Sequence, residues 1–317
     1  MIAKITAALV TGATGFIGAA LSRRLARSGV RVTCLVRKDS ARRGVLAGVP
    51  GLTVIELPSL ETDPLHATLA RVPAEVLFHL ASYGVHPGER DGEQMMEGNV
   101  TLMKRLLLST AALRLKRFIY TGSSAAYGLA AEPERLTEVH PIAPISLYGA
   151  AKAAAELQGS AIARDLGVPF VPLRLFGVYG IGEAEHRLVP QLIAHLRRGE
   201  VPSLTDGEQA RDMIYIDDMV EALLLAATAP GIEPQTAYNV CSGEPVRVRA
   251  VAERVAALLG KPGADLGLGR RPYRSDETMW IVGDPRRFRA ATGWRPKVGL
   301  TEGIRRMVAS SLAAAGP

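Results

Sequence analysis

The chain has 317 residues, 48% of them hydrophobic and 22% charged, with a formal net charge of +7 and two cysteines. That is core material for one large or two modest domains, and the absence of any apolar run of about 18 residues argues against a helical membrane span. The positive charge raises nucleic-acid binding, but the basic residues are scattered in twos and threes and aromatics make up only 5%, so stacking platforms are scarce and small anions such as phosphates are the better use of the arginines.

Cys34 and Cys241 both lie in apolar, strand-like runs, the pattern of buried thiols in a reducing compartment. The N-terminal MIAKITAALVTG turns at once into a glycine loop and lacks the basic start and small-residue cleavage site of a signal peptide. A cytoplasmic protein with no membrane partner and no nucleic-acid partner is expected.

In chain order, ITAALVTG is an apolar strand ending in glycine, FIGAALSRRLARSG an amphipathic helix closing on Gly29, and VRVTCLVR a β-rich run. LTVIEL and EVLFHLAS read as strands, followed by a long helix from about Gln94 to Leu113, the strand RFIYTGSS, the helix around Tyr148 to about Asp165, and the strand FVPLRLFGVYG. Strands alternating with helices of this length predict a parallel sheet covered on both faces. The second half is less regular: helices at LVPQLIAHLRRG, DDMVEALLLAAT and RAVAERVAALLG, and short strands at MIYI and AYNVCS, separated by loops rich in Gly and Pro.

Two motifs carry chemistry. In VTGATGFIG, Gly12, Gly15 and Gly18 follow a predicted strand and open a predicted helix. A tight turn and bare backbone there let a pyrophosphate sit on the helix N-terminus, although glycine-rich turns of this kind also occur without ligands. In SLYGAAK, Tyr148 stands four residues before Lys152 on one helix face. Tyrosine near lysine is a common surface pair; alternatively, the cation draws the phenol down from its ordinary value of about 10 and makes it a proton donor near neutrality. The expected fold is α/β: a Rossmann-type doubly wound parallel sheet over residues 1–175, then a smaller C-terminal α/β substrate domain over residues 176–317, some segments of which return to the first.

Taken jointly, the G-x-x-G-x-x-G loop, YGAAK, TGSSAAYG, RDMIYIDDMVEAL, YNVCSGEPVRVRAVAE and ATGWRPKVGLTEGI resemble the extended short-chain dehydrogenase/reductases, in the branch that modifies nucleotide-linked sugars. The resemblance runs essentially end to end. It implies that Tyr148 is the general acid/base, that Lys152 holds the nicotinamide ribose and depresses the Tyr148 pKa, and that Ser123 takes the substrate oxygen. It implies cofactor contacts from Thr14, Phe16, Ile17 and Ala81 alongside the three glycines, and substrate contacts from Ser82, Tyr83 and Ser124. Asn99 matches a family asparagine that supports the active-site helix, and a buried helix asparagine is an equally fair reading of it. Arg211 and Arg271 match arginines that contact the nucleotide diphosphate or ribose, and an ordinary salt bridge is the alternative for each. A homodimer through the helices near Gln94–Leu113 and Ser146–Asp165 is implied as well.

Departures from the family pattern narrow the reading. Dehydratases of this branch carry an acidic pair where this chain has Ser124 and Ala125, so dehydration is disfavoured. Gly177 replaces an asparagine that contacts the substrate diphosphate, and Ser59 an aspartate that meets the adenine amine. Where NAD-preferring relatives end the second strand with an acid, this chain has Val36, Arg37 and Lys38. An arginine there can grip a 2′-phosphate that a carboxylate would repel, so NADP is expected, with NAD as the alternative and stacking of Arg37 on adenine as its other use. An exchangeable reductant favours reduction of a keto group on a nucleotide-linked deoxysugar over an epimerase that recycles NAD. The segment ASYG after the fourth strand is reminiscent of reductases acting on 4-keto-6-deoxysugars.

Overall fold

The structure is a computed structural model that describes residues 5–38, 40, 42–57, 62–86, 88–274 and 277–313. Ser59 lies outside the described residues. Seven parallel strands form the main sheet, in the order β3-β2-β1-β4-β5-β6-β9. They are β1 (Ala7–Thr11), β2 (Arg31–Arg37), β3 (Leu52–Leu57), β4 (Val76–His79), β5 (Arg117–Ser123), β6 (Phe170–Leu175) and β9 (Tyr238–Val240). β1, β4 and β6 are buried at every position, because helices cover both faces and leave no solvated side on which polar residues could alternate. Helix α1 (Phe16–Arg27) and α7 (Ile216–Thr228) pack on one face; α2 (Thr62–Leu69), α4 (Leu102–Thr110) and α5 (Leu147–Asp165) pack on the other.

Strand order reverses between β1 and β4, which are both paired to their neighbours in parallel. Loops leaving these carboxyl ends diverge to opposite faces, and that opens the crevice in which ligands of such sheets bind. The long helix expected from Gln94 is continuous but not uniform: α3 (Gly92–Met96) passes through a π-helical turn at Glu97–Thr101 into α4. Such turns add a residue to the regular ladder, and Asn99 lies within this one.

FVPLRLFGVYG, expected as one strand, is two. β6 stays in the main sheet, whereas β7 (Gly177–Tyr179) pairs with β8 (Ala210–Tyr215) in a second sheet completed by β10 (Pro245–Arg247) and β11 (Trp280–Ile281). The chain leaves the first sheet at Phe176, a buried residue. Helices α6 (Leu188–Arg198), α8 (Val248–Leu258) and α10 (Leu300–Ala313) pack beside this smaller sheet, with α9 (Arg286–Thr292) next to β9. Cys34 and Cys241 are buried free thiols, and no helix among the described residues is long and apolar enough to cross a membrane.

Candidate active site

A cleft of about 910 Å³ opens at the carboxyl ends of the main sheet, between it and the smaller sheet. Its floor is the glycine loop. Gly12 has φ +68, and a Cβ there would lie 2.5 Å from Ala81 N; one on Gly18 would lie 2.1 Å from Gly12 O. Neither side chain can exist without moving backbone. Gly15 caps α1 without any side-chain hydrogen bond, so the N–H groups of the first turn have no protein side chain to satisfy them and point to an anion. Thr14, Phe16, Ile17 and Ala81 line the same floor. A dinucleotide pyrophosphate fits this cradle.

Arg37 lines the cleft at the end of β2, with Ser40 and Arg42 beside it. Ser40 donates to the Thr14 hydroxyl at 3.1 Å, and Arg42 donates to Gly182 O at 3.4 Å. Lys38 is exposed and does not line the cleft. Ser40 and Arg42 were missed by sequence reasoning, which stopped at the strand end.

Ser146 caps α5 by accepting from Gly149 N at 3.1 Å. Gly149 is there because α5 crosses the turn after β5 closely: a Cβ would lie 2.3 Å from Ala125 O. That approach brings Tyr148 and Lys152 to Ser123 at the end of β5, and all three line the cleft. Ser82, Tyr83 and Ser124 line it as well. Asn99 does not; it is buried and braces the loop after β4. Its amide donates to Tyr83 O at 2.9 Å and Met95 O at 2.8 Å, and its oxygen accepts from the Ser82 hydroxyl at 2.8 Å.

The electrostatics differ from the simple tyrosine–lysine picture. Burial pushes the Lys152 ammonium down to about 7, against the pull of Glu156 one turn along. The ammonium lies 4.8 Å from the centre of the Tyr120 ring. Burial raises the Tyr148 phenol, while Ser123, Ser82 and the charge of Arg187 pull it back down. In this state, then, burial outweighs the expected lowering, and the cation acting on Tyr148 is Arg187 rather than Lys152. Lys152 is itself too deeply desolvated to act as a firm positive charge. Behind the site His79 shares a 2.7 Å hydrogen bond with Thr11 and is held neutral by burial, its value pushed down to about 3.

The wall opposite is the loop Gly180–Arg187, which brings Glu183, His186 and Arg187 to the cleft. Glu183 faces Arg187 at 3.5 Å with its side chain 7% exposed, and its Oε2 has no hydrogen-bond partner; burial raises its carboxyl to about 7. These residues also escaped sequence reasoning. The available signal was Arg187 itself, which sits at the N-cap of α6 without capping it, where a cation opposes the helix dipole. Arg211 lines the cleft but is committed, donating to Thr278 O at 2.7 Å and to Glu277 at 2.6 Å. Arg271 is exposed and is not among the residues lining the cleft. Gly177 has a steric reason to lack the family's asparagine: a Cβ would lie 2.6 Å from Asp212 O, where β7 and β8 pair.

Comparison with known proteins agrees with this fold. The family model described as NAD dependent epimerase/dehydratase family matches residues 8–241. The chain is 31% identical over 307 residues to a dTDP-6-deoxy-L-talose 4-dehydrogenase (NAD(P)(+)) of Kitasatospora kifunensis, covering 94% of this chain and 93% of that one. It is 28% identical over 344 residues to a 2-alkyl-3-oxoalkanoate reductase of Stenotrophomonas maltophilia, covering 96% and 99%. A UDP-glucose 4-epimerase of Thermus thermophilus solved with NAD superposes with a TM-score of 0.87 at 28% identity, covering 97% of this chain and 99% of that one.

Proposed function

The chain belongs to the NAD dependent epimerase/dehydratase family, and on that premise we propose that it is an NADPH-dependent reductase of a keto group, at C4, on a nucleotide-linked 6-deoxysugar. The observation that carries the reading is the adenosine end of the cleft. There Arg37, Ser40 and Arg42 line the cleft just beyond the end of β2, a set suited to a 2′-phosphate. The talose dehydrogenase relative, whose name gives both cofactors and a 4-position oxidoreduction on a deoxysugar, supports the same reading.

When bound, NADPH supplies a hydride. Everything else falls to the chain's own groups. Ser123 holds the keto oxygen, and Tyr148, still protonated because burial keeps it so, donates its proton to that oxygen as it becomes an alkoxide. Lys152 holds the nicotinamide ribose. The hydroxyls of Ser123 and Ser82, with the charge of Arg187, stabilise the phenolate left on Tyr148. The smaller sheet and its helices receive the nucleotide diphosphate, with Arg187 facing it. Ser124 and Ala125 offer no acid and base for dehydration.

A second reading, a 4-epimerase recycling bound NAD, is favoured by the close superposition on the Thermus enzyme. The cofactor test separates them. NADPH should bind more tightly than NADH, and Arg37→Asp should reverse that order by on the order of 100-fold in relative affinity, read by titrating nicotinamide fluorescence. Equal dissociation constants in the parent would refute the NADPH assignment.

A further inference from the structure

Lys152 is followed one helical turn later by Glu156, and residues four apart on a helix are neighbours on one face. Glu156 is buried and is gripped from below by Arg174 of β6. The arginine's Nη2 lies 2.6 Å from Oε1, and its Nε donates to both carboxylate oxygens at 3.1 Å. Arg174 is fixed in turn: its Nη1 donates to the Tyr127 hydroxyl at 2.8 Å and to Glu138 O at 3.1 Å. Gly122 of β5 lies next to the carboxylate: a Cβ there would be in ordinary contact with Glu156 Oε2 at 3.5 Å. Glu156 is therefore a buried carboxylate paired with the buried Arg174, one helical turn from the buried Lys152.

The other groups around Lys152 bring no countercharge. From β4 His79 is neutral. From β5 Tyr120 presents its ring and donates its hydroxyl to Lys152 O at 3.0 Å, with its phenol raised well above the ordinary value. Tyr148 on α5 is likewise held protonated.

We propose that Glu156 is a positioning residue for catalysis: it is the countercharge that keeps Lys152 an ammonium ion, and Arg174 sets how much of that charge Lys152 receives. The pair deepens the reductase reading, on which the importance of the Lys152 charge rests, but its electrostatic content does not depend on any substrate. Bringing a carboxylate into this pocket without Arg174 would over-stabilise the ammonium; removing the carboxylate alone would leave Lys152 facing an uncompensated arginine.

The chain has seven lysines, few enough to follow each by the ¹³Cε signal of labelled lysine in the protein without substrate or cofactor, with Lys152→Met identifying the signal of interest. In the parent Lys152 should titrate near 7, apart from the exposed lysines. Glu156→Gln should move that midpoint down and Arg174→Met should move it up, each by on the order of one pH unit or more. The double variant Glu156→Gln/Arg174→Met should return close to the parent. A purely structural role would not give shifts of opposite sign. If Glu156→Gln alone does not fold, the double variant compared with Arg174→Met isolates the same carboxylate, and its removal must lower the midpoint. Shifts of the same sign, or a midpoint indifferent to Glu156, overturn the proposal, and neither result bears on whether the substrate is a keto-sugar.

Discussion

At the scale of single residues, the cleft is governed by burial more than by pairing. Tyr148 and Lys152 were readable as a pair from their spacing alone, and the structure places both in one cleft with Ser123. What the spacing could not show is the depth of Lys152, 3% exposed, which depresses the ammonium instead of leaving it to act on the phenol. Glu183 is a second group ruled by burial. Its folded value of about 7 lies above its ordinary 4.5, so the folded state holds this proton more firmly than the unfolded chain does. Stability from this group is fully present below about 4.5 and declines as pH rises, until it is lost above about 7. Glu183→Gln should flatten that part of the stability curve and stabilise the protein at pH 8 by about 1–3 kcal/mol, measured as urea midpoints across pH. An unchanged pH slope would show that the carboxyl titrates normally.

At the scale of elements, the strands and helices of the first half follow from period and punctuation, as where the apolar run ITAALVTG ends in glycine and the helix after it closes on Gly29. β7 was not separable from β6 in FVPLRLFGVYG, because local sequence does not record which sheet a strand joins. The decision is tertiary: Phe176 is buried where the chain changes sheets, and β8 passes so close to position 177 that only glycine fits. The π-helical turn at Asn99 was equally hidden, as its sequence is ordinary helix. Helix α5 offers the sharpest test of how an element positions chemistry. Gly149→Ala puts a Cβ 2.3 Å from Ala125 O, forcing α5 away from β5. Overpacking of this kind costs about 1–3 kcal/mol, and a misplacement near 1 Å at the reacting groups costs about 100-fold in rate. Turnover of this variant should fall by at least 10-fold with Tyr148, Lys152 and Ser123 all present. Parental kcat would mean that the close crossing is not what aligns the site.

At the scale of the whole molecule, α3, α4 and α5 leave apolar side chains outside the core: Met96 is 49% exposed, Leu108 41% and Leu157 59%. Ala150 and Ala161 lie exposed on the same helix as Leu157. A two-fold pairing of these helices into a four-helix interface would cover that stripe. Light scattering at micromolar concentration should give twice the chain mass of 33.8 kDa, and Leu157→Glu should give a monomer. A monomeric parent contradicts the interface.

On the proposed function, the cleft reduces an external keto-sugar with an exchangeable phosphorylated cofactor. The most direct test mixes purified protein with NADPH and a thymidine-diphosphate-linked 4-keto-6-deoxysugar and follows absorbance at the nicotinamide band, with Tyr148→Phe as the control lacking the proton donor. The account predicts one NADPH consumed per sugar reduced, no turnover without added reductant, and a loss of about 100- to 10,000-fold in the control. Protein that carries tightly bound NAD as isolated and interconverts two nucleotide sugars with no change at that band would contradict it and establish the epimerase.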